Sequence, residues 1–207
     1  MAKRILDILV SLTGILLLSP LLILLSVAIL FDSKGPVFYK QKRIGKNAVP
    51  FLIWKFRTMR LNADQLGYLT VGGRDPRITR VGYYLRRYKL DELPQLFNVL
   101  FGTMSLVGPR PEVEKYVLLY TAEQRKVLNV KPGITDFASI EYLHENDLLG
   151  ASSDPEKTYI DEIMPAKIQM NMKYIENPGV LTDVRLIWQT VKKIISRHFD
   201  AIGTSCY

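Results

Sequence analysis

"LLLSPLLILL", residues 16–25, lies at the centre of an uncharged apolar run that extends from Ile8 to Phe31. A straight helix over this run would measure about 36 Å, against about 30 Å for the hydrocarbon core of a bilayer. The run is therefore long enough to cross a membrane. Pro20, at its middle, removes a backbone donor and costs about 3 kcal/mol in a straight helix. Ser19 can donate a hydrogen bond to a carbonyl that a bend there releases.

Two membrane arrangements follow from this segment. Each half around Ser19-Pro20 would measure about 17 Å, half of the hydrocarbon core, so a helix–break–helix can enter and leave through one face. Basic residues flank both ends, which favours keeping both ends on the cytoplasmic side. They are Lys3 and Arg4 before the run, and Lys34, Lys40, Lys42, Arg43 and Lys46 after it. From these features alone, the re-entrant and the spanning arrangements are equally supported.

The net charge of +8 is concentrated between Lys34 and Lys89, where fourteen lysines and arginines face only two acids, Asp64 and Asp75. Such a block suits anionic headgroups or a polyanionic substrate such as a nucleotide diphosphate, and it equally marks a cytoplasmic flank. The single cysteine, Cys206, and two histidines exclude an internal disulfide and argue against a Cys- or His-based metal cluster. The 207 residues suffice for one compact domain beside the apolar segment.

Local patterns predict a few elements after the apolar run. Two short strands are expected near 37–42 and 50–56, joined by a tight turn. A helix from about Thr79 to Tyr88 carries apolar residues on one face and arginines on the other, which is typical of a helix at headgroup level.

Two further helices are predicted towards the C-terminus. One is expected to start near Asp91 and end near Phe101-Gly102, with Pro94 in its first turn. The last helix is expected to be capped by Thr182 and to carry an amphipathic stripe, interpreted as core or membrane surface. The stripe consists of Val184, Ile187, Trp188, Val191, Ile194 and Ile195.

"KLDELPQL", residues 89–96, sets two carboxylates, Asp91 and Glu92, at a predicted helix start. The helix dipole and the nearby cations Arg86 and Lys89 both favour an ionised acid and lower its pKa. At least one carboxylate is therefore expected to be charged and available as a nucleophile or a metal ligand. The alternative is a structural one, a helix cap followed by a glutamate that complements the dipole.

Three basic motifs accompany the carboxylates: "KFRTM" (55–59), "RRYK" (86–89) and "PRP" (109–111). Arg110 lies between two prolines of fixed φ, so it loses little entropy when its guanidinium binds a phosphate. Together these features suggest phosphate chemistry at a membrane surface, with Mg²⁺ held by one carboxylate and the substrate's phosphates. A membrane-anchored module that binds anionic lipid or nucleic acid is the alternative, but it leaves the carboxylate pair and Pro-Arg-Pro unexplained.

The motifs "KFRTM", "LDELPQLFNVLFGTMSLVGPRP" (90–111) and "KPGIT" (131–135) follow an apolar segment broken at Ser-Pro. In this order they resemble the bacterial sugar transferase family, the monotopic phosphoglycosyl transferases that start polyprenol-linked glycan assembly. The resemblance covers essentially the whole chain and matches the minimal form with only the catalytic domain.

The resemblance implies an α+β fold that is mostly α. It divides the chain into a re-entrant membrane helix–break–helix at 1–33, a cytoplasmic catalytic domain at 34–200 and a flexible tail at 201–207. The catalytic domain is expected to be compact, with a small β-hairpin and amphipathic surface helices. The implied location is the cytoplasmic face of the bacterial inner (plasma) membrane.

The resemblance also implies transfer of a sugar 1-phosphate from a UDP-sugar to undecaprenyl phosphate, with release of UMP. Asp91 would be the nucleophile and a Mg²⁺ ligand, forming a covalent phosphosugar intermediate, and Glu92 would assist the second step. Phosphate oxygens would be bound by Lys55, Arg57, Arg86 and Arg110. A ternary mechanism without a covalent step stays open. The expected partners are the two substrates and membrane lipids, with no nucleic acid. A homodimer stays open, because the sequence does not fix the oligomeric state.

One departure from the family pattern follows "KPGIT", where Gly-aromatic often stands. Here the residues are Asp136-Phe137. Asp136 is bulkier than glycine and charged, so the turn and any sugar or nucleotide contacts in 136–150 are expected to differ. We interpret Asp136 as the cap of the next segment.

Overall fold

The computed structural model describes residues 2–63, 75–142 and 145–203. Over these residues the chain is mostly helical, with two small two-stranded sheets and one long apolar helix, α1 (Ala2–Asp32). The predicted fold class is confirmed at this level. The last helix extends to Gly203, so part of the predicted tail is helical, and residues 204–207, with Cys206, lie outside the described residues.

Helix α1 continues through Ser19-Pro20 with no loop between its halves. Pro20 cannot donate to the carbonyl of Leu16, four residues earlier, and the Ser19 hydroxyl donates to that oxygen instead, at 2.8 Å. The role predicted for Ser19 is thus confirmed. The predicted break is not a separate segment, because this hydrogen bond supplies the donor that proline lacks and the helical backbone continues.

The middle of α1 presents bare apolar surface. Leu16, Leu17, Ile23 and Leu24 are each more than 60% exposed, and the helix is long and apolar enough to cross a membrane. A continuous exposed apolar surface of this extent is rare on proteins in water and usually marks a site of contact with another protein or with a membrane. The helix therefore indicates membrane association.

The start of α1 is held by hydrogen bonds to the folded domain. Arg4 donates to two carbonyls at the end of α3 (Gln95–Phe101), at 2.6 and 2.8 Å. Buried Asp7 accepts hydrogen bonds from the Ser105 hydroxyl and the Leu106 amide, both at 3.0 Å. A charged residue this close to an apolar run is thus compensated by the domain rather than by water.

The predicted hairpin is confirmed. Strand β1 (Phe38–Ile44) pairs antiparallel with β2 (Pro50–Phe56), and Lys42 lies opposite Leu52. A short 3₁₀ turn at Lys46–Ala48 connects the strands.

Helix α2 (Arg80–Arg87) agrees closely with its prediction. The Thr79 hydroxyl caps it by accepting from the Gly82 amide at 3.0 Å, and Asp32 at the end of α1 accepts from the Val81 amide at 3.0 Å. The first turn of a helix has backbone N–H groups with no acceptor inside the helix. The Thr79 hydroxyl and the Asp32 carboxylate accept hydrogen bonds from two of them. The end of α1 is thereby bonded to α2.

The end of α1 packs into the same domain as its start. Ile29 is buried with Phe56 of β2 and Leu85 of α2 in a small apolar cluster. Since the start of α1 bonds α3 and its end packs on β2 and α2, both ends of the apolar helix contact one folded body.

A second sheet was not predicted. Strand β3 (Ser105–Val107) pairs parallel with β4 (Gly133–Thr135). The strands approach so closely that a Cβ on Gly133 would lie 2.1 Å from the Gly108 nitrogen, which explains glycine at that position. This pairing joins the start of "SLVGPRP" to "KPGIT" and fixes the loop that carries Arg110.

The C-terminal half is built from helices around an apolar core that includes Tyr116, Leu149 and Ile168. These elements are α4 (Glu114–Val117), a 3₁₀ segment (Gln124–Asn129), α5 (Phe137–Glu141), α6 (Glu145–Ala151), α7 (Pro155–Thr158), a π-helical turn (Tyr159–Ile163), α8 (Met164–Glu176) and α9 (Val180–Gly203).

The predicted start of α9 is wrong by three residues, because a cap at Thr182 would place the first helical residue at Asp183. The helix begins at Val180, so Thr182 lies in its first turn and not at its cap. Leu186 is the buried apolar residue, whereas Val184 and Trp188 of the predicted stripe are 49% and 64% exposed. The stripe was interpreted as part of either the core or a membrane surface, and these two side chains are not part of the core. The side chains of Ile194 and Ile195 lie outside the described part of the chain.

A buried polar cluster joins the first turn of α1 to the last two helices. Lys3 donates to Asp183 of α9 at 2.6 Å, and to Tyr174 of α8 and the Val107 carbonyl at 3.0 Å. Tyr174 also donates to Asp183 at 2.6 Å. Asp183 and Tyr174 are almost fully buried, so this cluster fixes α1 against α9.

Candidate active site

Asp91 and Glu92 lie in a single 3₁₀ turn, Leu90–Glu92, that precedes α3. Lys89 adopts a left-handed conformation with φ 57°, and α3 begins only at Gln95, after Pro94. The predicted helix start at Asp91 is therefore wrong. The left-handed residue breaks continuity with α2, and the turn forms i→i+3 bonds, so Asp91 does not lie in the first turn of an α-helix.

Glu92 is held by two cations. Lys55 of β2 donates to Oε1 at 2.9 Å, and Arg110 donates to both oxygens, Nη1 to Oε2 at 3.2 Å and Nη2 to Oε1. Burial alone would raise the pKa of Glu92, but Arg110 and Lys55 together hold that pKa well below its usual range. Glu92 is therefore charged at neutral pH, as predicted for at least one of the pair.

Asp91 behaves in the opposite way. Its side chain lines a cleft of about 520 Å³, and the residue is 8% exposed. Burial, and then the adjacent charge of Glu92, raise the pKa of Asp91 above its ordinary value of 3.8. The predicted lowering holds for Glu92 and is wrong for Asp91, because the nearby cations bond Glu92 instead.

Arg110 is positioned through its backbone as well as its side chain. Its amide donates to Asp136 Oδ2 at 2.7 Å, and the other oxygen of Asp136 accepts from the Ser139 amide at the start of α5. The interpretation of Asp136 as a cap is confirmed. Its second contact was not predicted: the same carboxylate bonds α5 to the Pro-Arg-Pro loop.

Replacing Asp136 with alanine is expected to lower stability by about 2–4 kcal/mol, because two amides lose their acceptor. Activity is expected to fall further than folding alone explains, since Arg110 loses its backbone anchor. Asp136→Asn keeps one acceptor oxygen and should lie between wild type and alanine in melting temperature. Equal melting temperatures for all three proteins would contradict this role.

Arg57 is among the residues that line the cleft, but its guanidinium is bonded to backbone carbonyls. The residue is 5% exposed, and its guanidinium donates to the carbonyls of Ser33 at 2.6 Å, Lys34 and Ile29. These carbonyls lie at and just after the end of α1, where a helix leaves acceptors unpaired. The geometry therefore indicates a structural cap on the end of α1, and phosphate binding by Arg57 stays a prediction.

Arg57→Leu is expected to destabilise the protein by about 2 kcal/mol or more, because several carbonyls lose a charged donor. The folded fraction should keep its KM for phosphate-bearing substrates. Arg57→Lys retains the charge but lacks the planar fork that reaches several carbonyls. Full recovery of stability in the lysine variant would show that charge alone matters here. Thermal unfolding in detergent measures the difference.

Among the residues that line the cleft, lysines and arginines outnumber aspartates and glutamates. Arg86, predicted to bind phosphate, lies in its wall beside Asp91. Sequence reasoning missed further basic residues of the lining, which are Arg43, Arg60, Arg77, Lys89 and Lys167. All except Lys167 belong to the basic block between residues 34 and 89, so the charge count was the signal for them.

Only a limited metal site is available. Among residues 2–63, 75–142 and 145–203, no three His, Cys, Asp or Glu side chains group as metal ligands. Of the adjacent pair Asp91 and Glu92, Glu92 is engaged by Lys55 and Arg110, which leaves Asp91 as the member of the pair that is open to the cleft. Mg²⁺ commonly binds one protein carboxylate together with substrate phosphates, and this donor set fits that pattern.

The fold and the cleft define a membrane-associated, mostly helical protein with a carboxylate pair among cations. The chain belongs to the bacterial sugar transferase family, whose model matches residues 1–197.

Three relatives illustrate the likeness. The chain is 38% identical over 199 residues to a UDP-N-acetylgalactosamine-undecaprenyl-phosphate N-acetylgalactosaminephosphotransferase of Aeromonas hydrophila, covering 94% of this chain and 44% of that one. It is 38% identical over 194 residues to a UDP-glucose:undecaprenyl-phosphate glucose-1-phosphate transferase of Klebsiella pneumoniae, covering 92% and 39%. It is 38% identical over 202 residues to the exopolysaccharide production protein PSS of Rhizobium leguminosarum bv. phaseoli, covering 94% and 96%. The chain thus spans less than half of the first two relatives.

Proposed function

We propose that this chain transfers a sugar 1-phosphate from a UDP-sugar to undecaprenyl phosphate and releases UMP. Membership of the bacterial sugar transferase family and the names of its relatives support this reaction. One substrate is water-soluble and the other is a membrane lipid. A long apolar helix docked on a basic cleft suits a reaction between two such anions.

One observation carries the proposal: Asp91 opens into a cation-lined cleft beside Glu92, which Lys55 and Arg110 hold. The test is UMP release by purified protein in detergent, with undecaprenyl phosphate and a panel of UDP-sugars. Release that requires both substrates is the expected result. No release with any UDP-sugar would overturn the proposal.

The finer mechanism we propose is a double displacement at Asp91. An Asp91 oxygen forms a bond to the β-phosphorus while the bond to UMP breaks, and UMP leaves with that electron pair. An oxygen of the lipid phosphate then attacks the same phosphorus, and the Asp91 carboxylate leaves. Arg110 and Lys55 stabilise charge on the phosphate oxygens, and Glu92 keeps both cations in place.

A covalent step is separable from direct transfer in a ternary complex. Incubation with a UDP-sugar but no lipid acceptor should add a phosphosugar to the chain, detectable by intact mass. Peptide mapping should place it on Asp91. A donor-treated protein with unchanged mass, combined with sequential kinetics, would favour the ternary complex. Mg²⁺ bound at Asp91 and the diphosphate would neutralise charge there.

We further propose that α1 is re-entrant, with the domain at the cytoplasmic face of the bacterial inner membrane. Both ends of α1 contact one folded domain: Arg4 and Asp7 near its start, and Ile29 near its end. A spanning helix would separate these ends by the bilayer thickness. The bare apolar surface between them supports burial of the middle of α1 in lipid.

Topology can be measured by cysteine labelling in a Cys206→Ser background. Exposed Ala2 and Lys46 flank the apolar helix, and cysteines at both positions should react with an impermeant reagent from the same side. Leu17→Cys is the matched control and should be protected, since Leu17 lies in the apolar middle. Reaction of positions 2 and 46 from opposite sides would contradict re-entry and establish a spanning helix.

A further inference from the structure

A second polar cluster lines the cleft beyond Arg110, and the phosphate chemistry does not use it. Tyr159 donates to Glu112 Oε1 at 2.7 Å, and Arg43 lies 3.7 Å from Glu112 Oε2. Lys167 donates to Glu145 at 2.8 Å, and its ammonium lies 5.4 Å from the centre of the Tyr159 ring. We call Arg43, Glu112, Tyr159, Lys167 and Glu145 the distal cluster. All five line the same cleft as Asp91.

Tyr159 holds its place in the distal cluster through burial and packing. Tyr159 is 2% exposed, opens the π-helical turn Tyr159–Ile163, and its ring lies 4.9 Å from that of Tyr116. Isolated π-helical turns occur frequently at functional sites. Burial, then the charge of Glu112, raise the pKa of Tyr159 well above 10, so its hydroxyl keeps its proton and donates. Groups fixed in this way can select a ligand by shape and hydrogen bonding.

The charges of the distal cluster differ from those around Asp91. Two carboxylates, Glu112 and Glu145, lie here, and Glu145 is near enough to contribute to the raised pKa of Arg110. Glu112 and Glu145 pair with Arg43 and Lys167, so the distal cluster carries no excess of positive charge, and a diphosphate is better placed at Lys55 and Arg110. An ionised carboxylate has about four acceptor positions, and each of these two uses only part of that capacity.

An uncharged group with many hydroxyls matches this chemistry. Its hydroxyls can donate to Glu112 and Glu145 and accept from Lys167. Ser139 also lines the cleft, and within the described residues its buried hydroxyl oxygen has no hydrogen-bond partner. A buried polar atom without a partner is costly unless a ligand or water satisfies it.

The order of bonds at phosphorus separates the place of the lipid from the place of the sugar. In two successive in-line displacements at the β-phosphorus, the lipid phosphate enters from the side that UMP vacates. That side needs access to the membrane helix, and Pro36 and Arg60, which follow α1 and β2 by a few residues, also line the cleft. The sugar stays on the phosphorus throughout and needs a place of its own, for which the distal cluster offers hydrogen-bonding groups.

We propose that Glu112, Tyr159 and Glu145 bind the sugar of the donor and determine which UDP-sugar the protein uses. This inference rests on the proposed function. It names a sugar subsite distinct from the phosphate-binding residues Lys55 and Arg110.

The test compares wild type with Glu112→Gln, Tyr159→Phe and Glu145→Gln on UDP-sugars that differ in one hydroxyl or in an N-acetyl group. Each variant should change the ratio of kcat/KM between two donors by at least about tenfold, since a lost hydrogen bond to a charged group is worth that much. The KM for undecaprenyl phosphate and the inhibition constant of UDP, which has no sugar, should stay within about twofold of wild type. Glu114→Gln is the matched control, because Glu114 pairs with Lys42 at the exposed surface and does not line the cleft.

The possible outcomes distinguish failure of the proposed function from failure of the proposed sugar subsite. Wild-type protein without UMP release on any donor would overturn the proposed function, and the subsite with it. Active wild type with variants that slow all donors equally would overturn the subsite alone. Weaker inhibition by UDP in the variants would assign this end of the cleft to the nucleoside instead. Melting temperatures identify any variant that fails to fold, and Tyr159→Phe, which removes only a hydroxyl, is the mildest of the three.

Discussion

Asp91→Asn is expected to abolish turnover, lowering the rate of UMP release by about 10⁴-fold or more, as loss of a nucleophile does in other covalent enzymes. The amide has nearly the same shape but cannot form the acyl phosphate. Because the charge of Asp91 is disfavoured by burial and by the adjacent Glu92, the neutral amide should leave the melting temperature unchanged or slightly raised. The measurement is UMP release with saturating undecaprenyl phosphate, together with thermal unfolding.

The surface variant Asp161→Asn is the matched control, since Asp161 is exposed on the π-helical turn. It should retain wild-type turnover. If Asp91→Asn still released UMP at a near-normal rate, the nucleophile would have to be another group. A phosphosugar adduct in the intact mass of donor-treated Asp91→Asn protein would lead to the same conclusion independently of the kinetics.

Glu92→Gln is expected to have a large effect on stability, about 3 kcal/mol, which corresponds to a fall of about 10 °C in melting temperature for a chain of this size. The side chains of Glu92, Lys55 and Arg110 are 13%, 19% and 30% exposed, so two cations would be left without their anion in a poorly hydrated site. Turnover should fall as well, because Arg110 and Lys55 lose the carboxylate that orients them. The exposed pair Lys42–Glu114 offers the comparison: Glu114→Gln should cost less than about 1 kcal/mol.

The same pair predicts a pH dependence. The folded-state pKa of Glu92 lies well below its ordinary value of 4.5, so its contribution to stability is full above pH 4.5 and is lost as the pH falls through the lowered value. The glutamine side chain of the Glu92→Gln variant does not titrate. The free energy of unfolding of this variant should therefore depend less steeply on pH in that acidic range. Parallel curves for wild type and variant below pH 4.5 would contradict the ion-pair assignment.

Patterns of local sequence predicted the elements that follow local rules. The hairpin, α2 and the Asp136 cap depend on neighbouring residues, and each is found close to its predicted position. The start of α3 was wrong because Lys89 adopts a left-handed conformation that no local pattern indicates. The β3–β4 pair was missed because its three-residue strands lie inside loop-like motifs, and only their long-range pairing makes them strands.

The sequence predicted several of the residues that form the site but not which side chains bond to one another. The basic block and the carboxylate pair marked the residues of the cleft, yet charge alone could not tell which cation meets which partner. Arg57 and Lys55 stand two residues apart, at and just after the end of β2, and one reaches the carbonyls after α1 while the other reaches Glu92. The distal cluster needed contacts between residues more than 40 positions apart, such as Glu112 with Tyr159, which sequence spacing does not indicate.

The bond between Lys3 and Asp183 has a consequence for biogenesis. Its partners are 180 residues apart, so a ribosome must complete all of the intervening chain before the contact can form. The apolar helix would meet lipid early in translation, and its first turn would be locked to the domain only late. Nascent chains arrested before Asp183 should therefore carry an N-terminal turn that proteases cut readily, and release of the finished polypeptide should protect it.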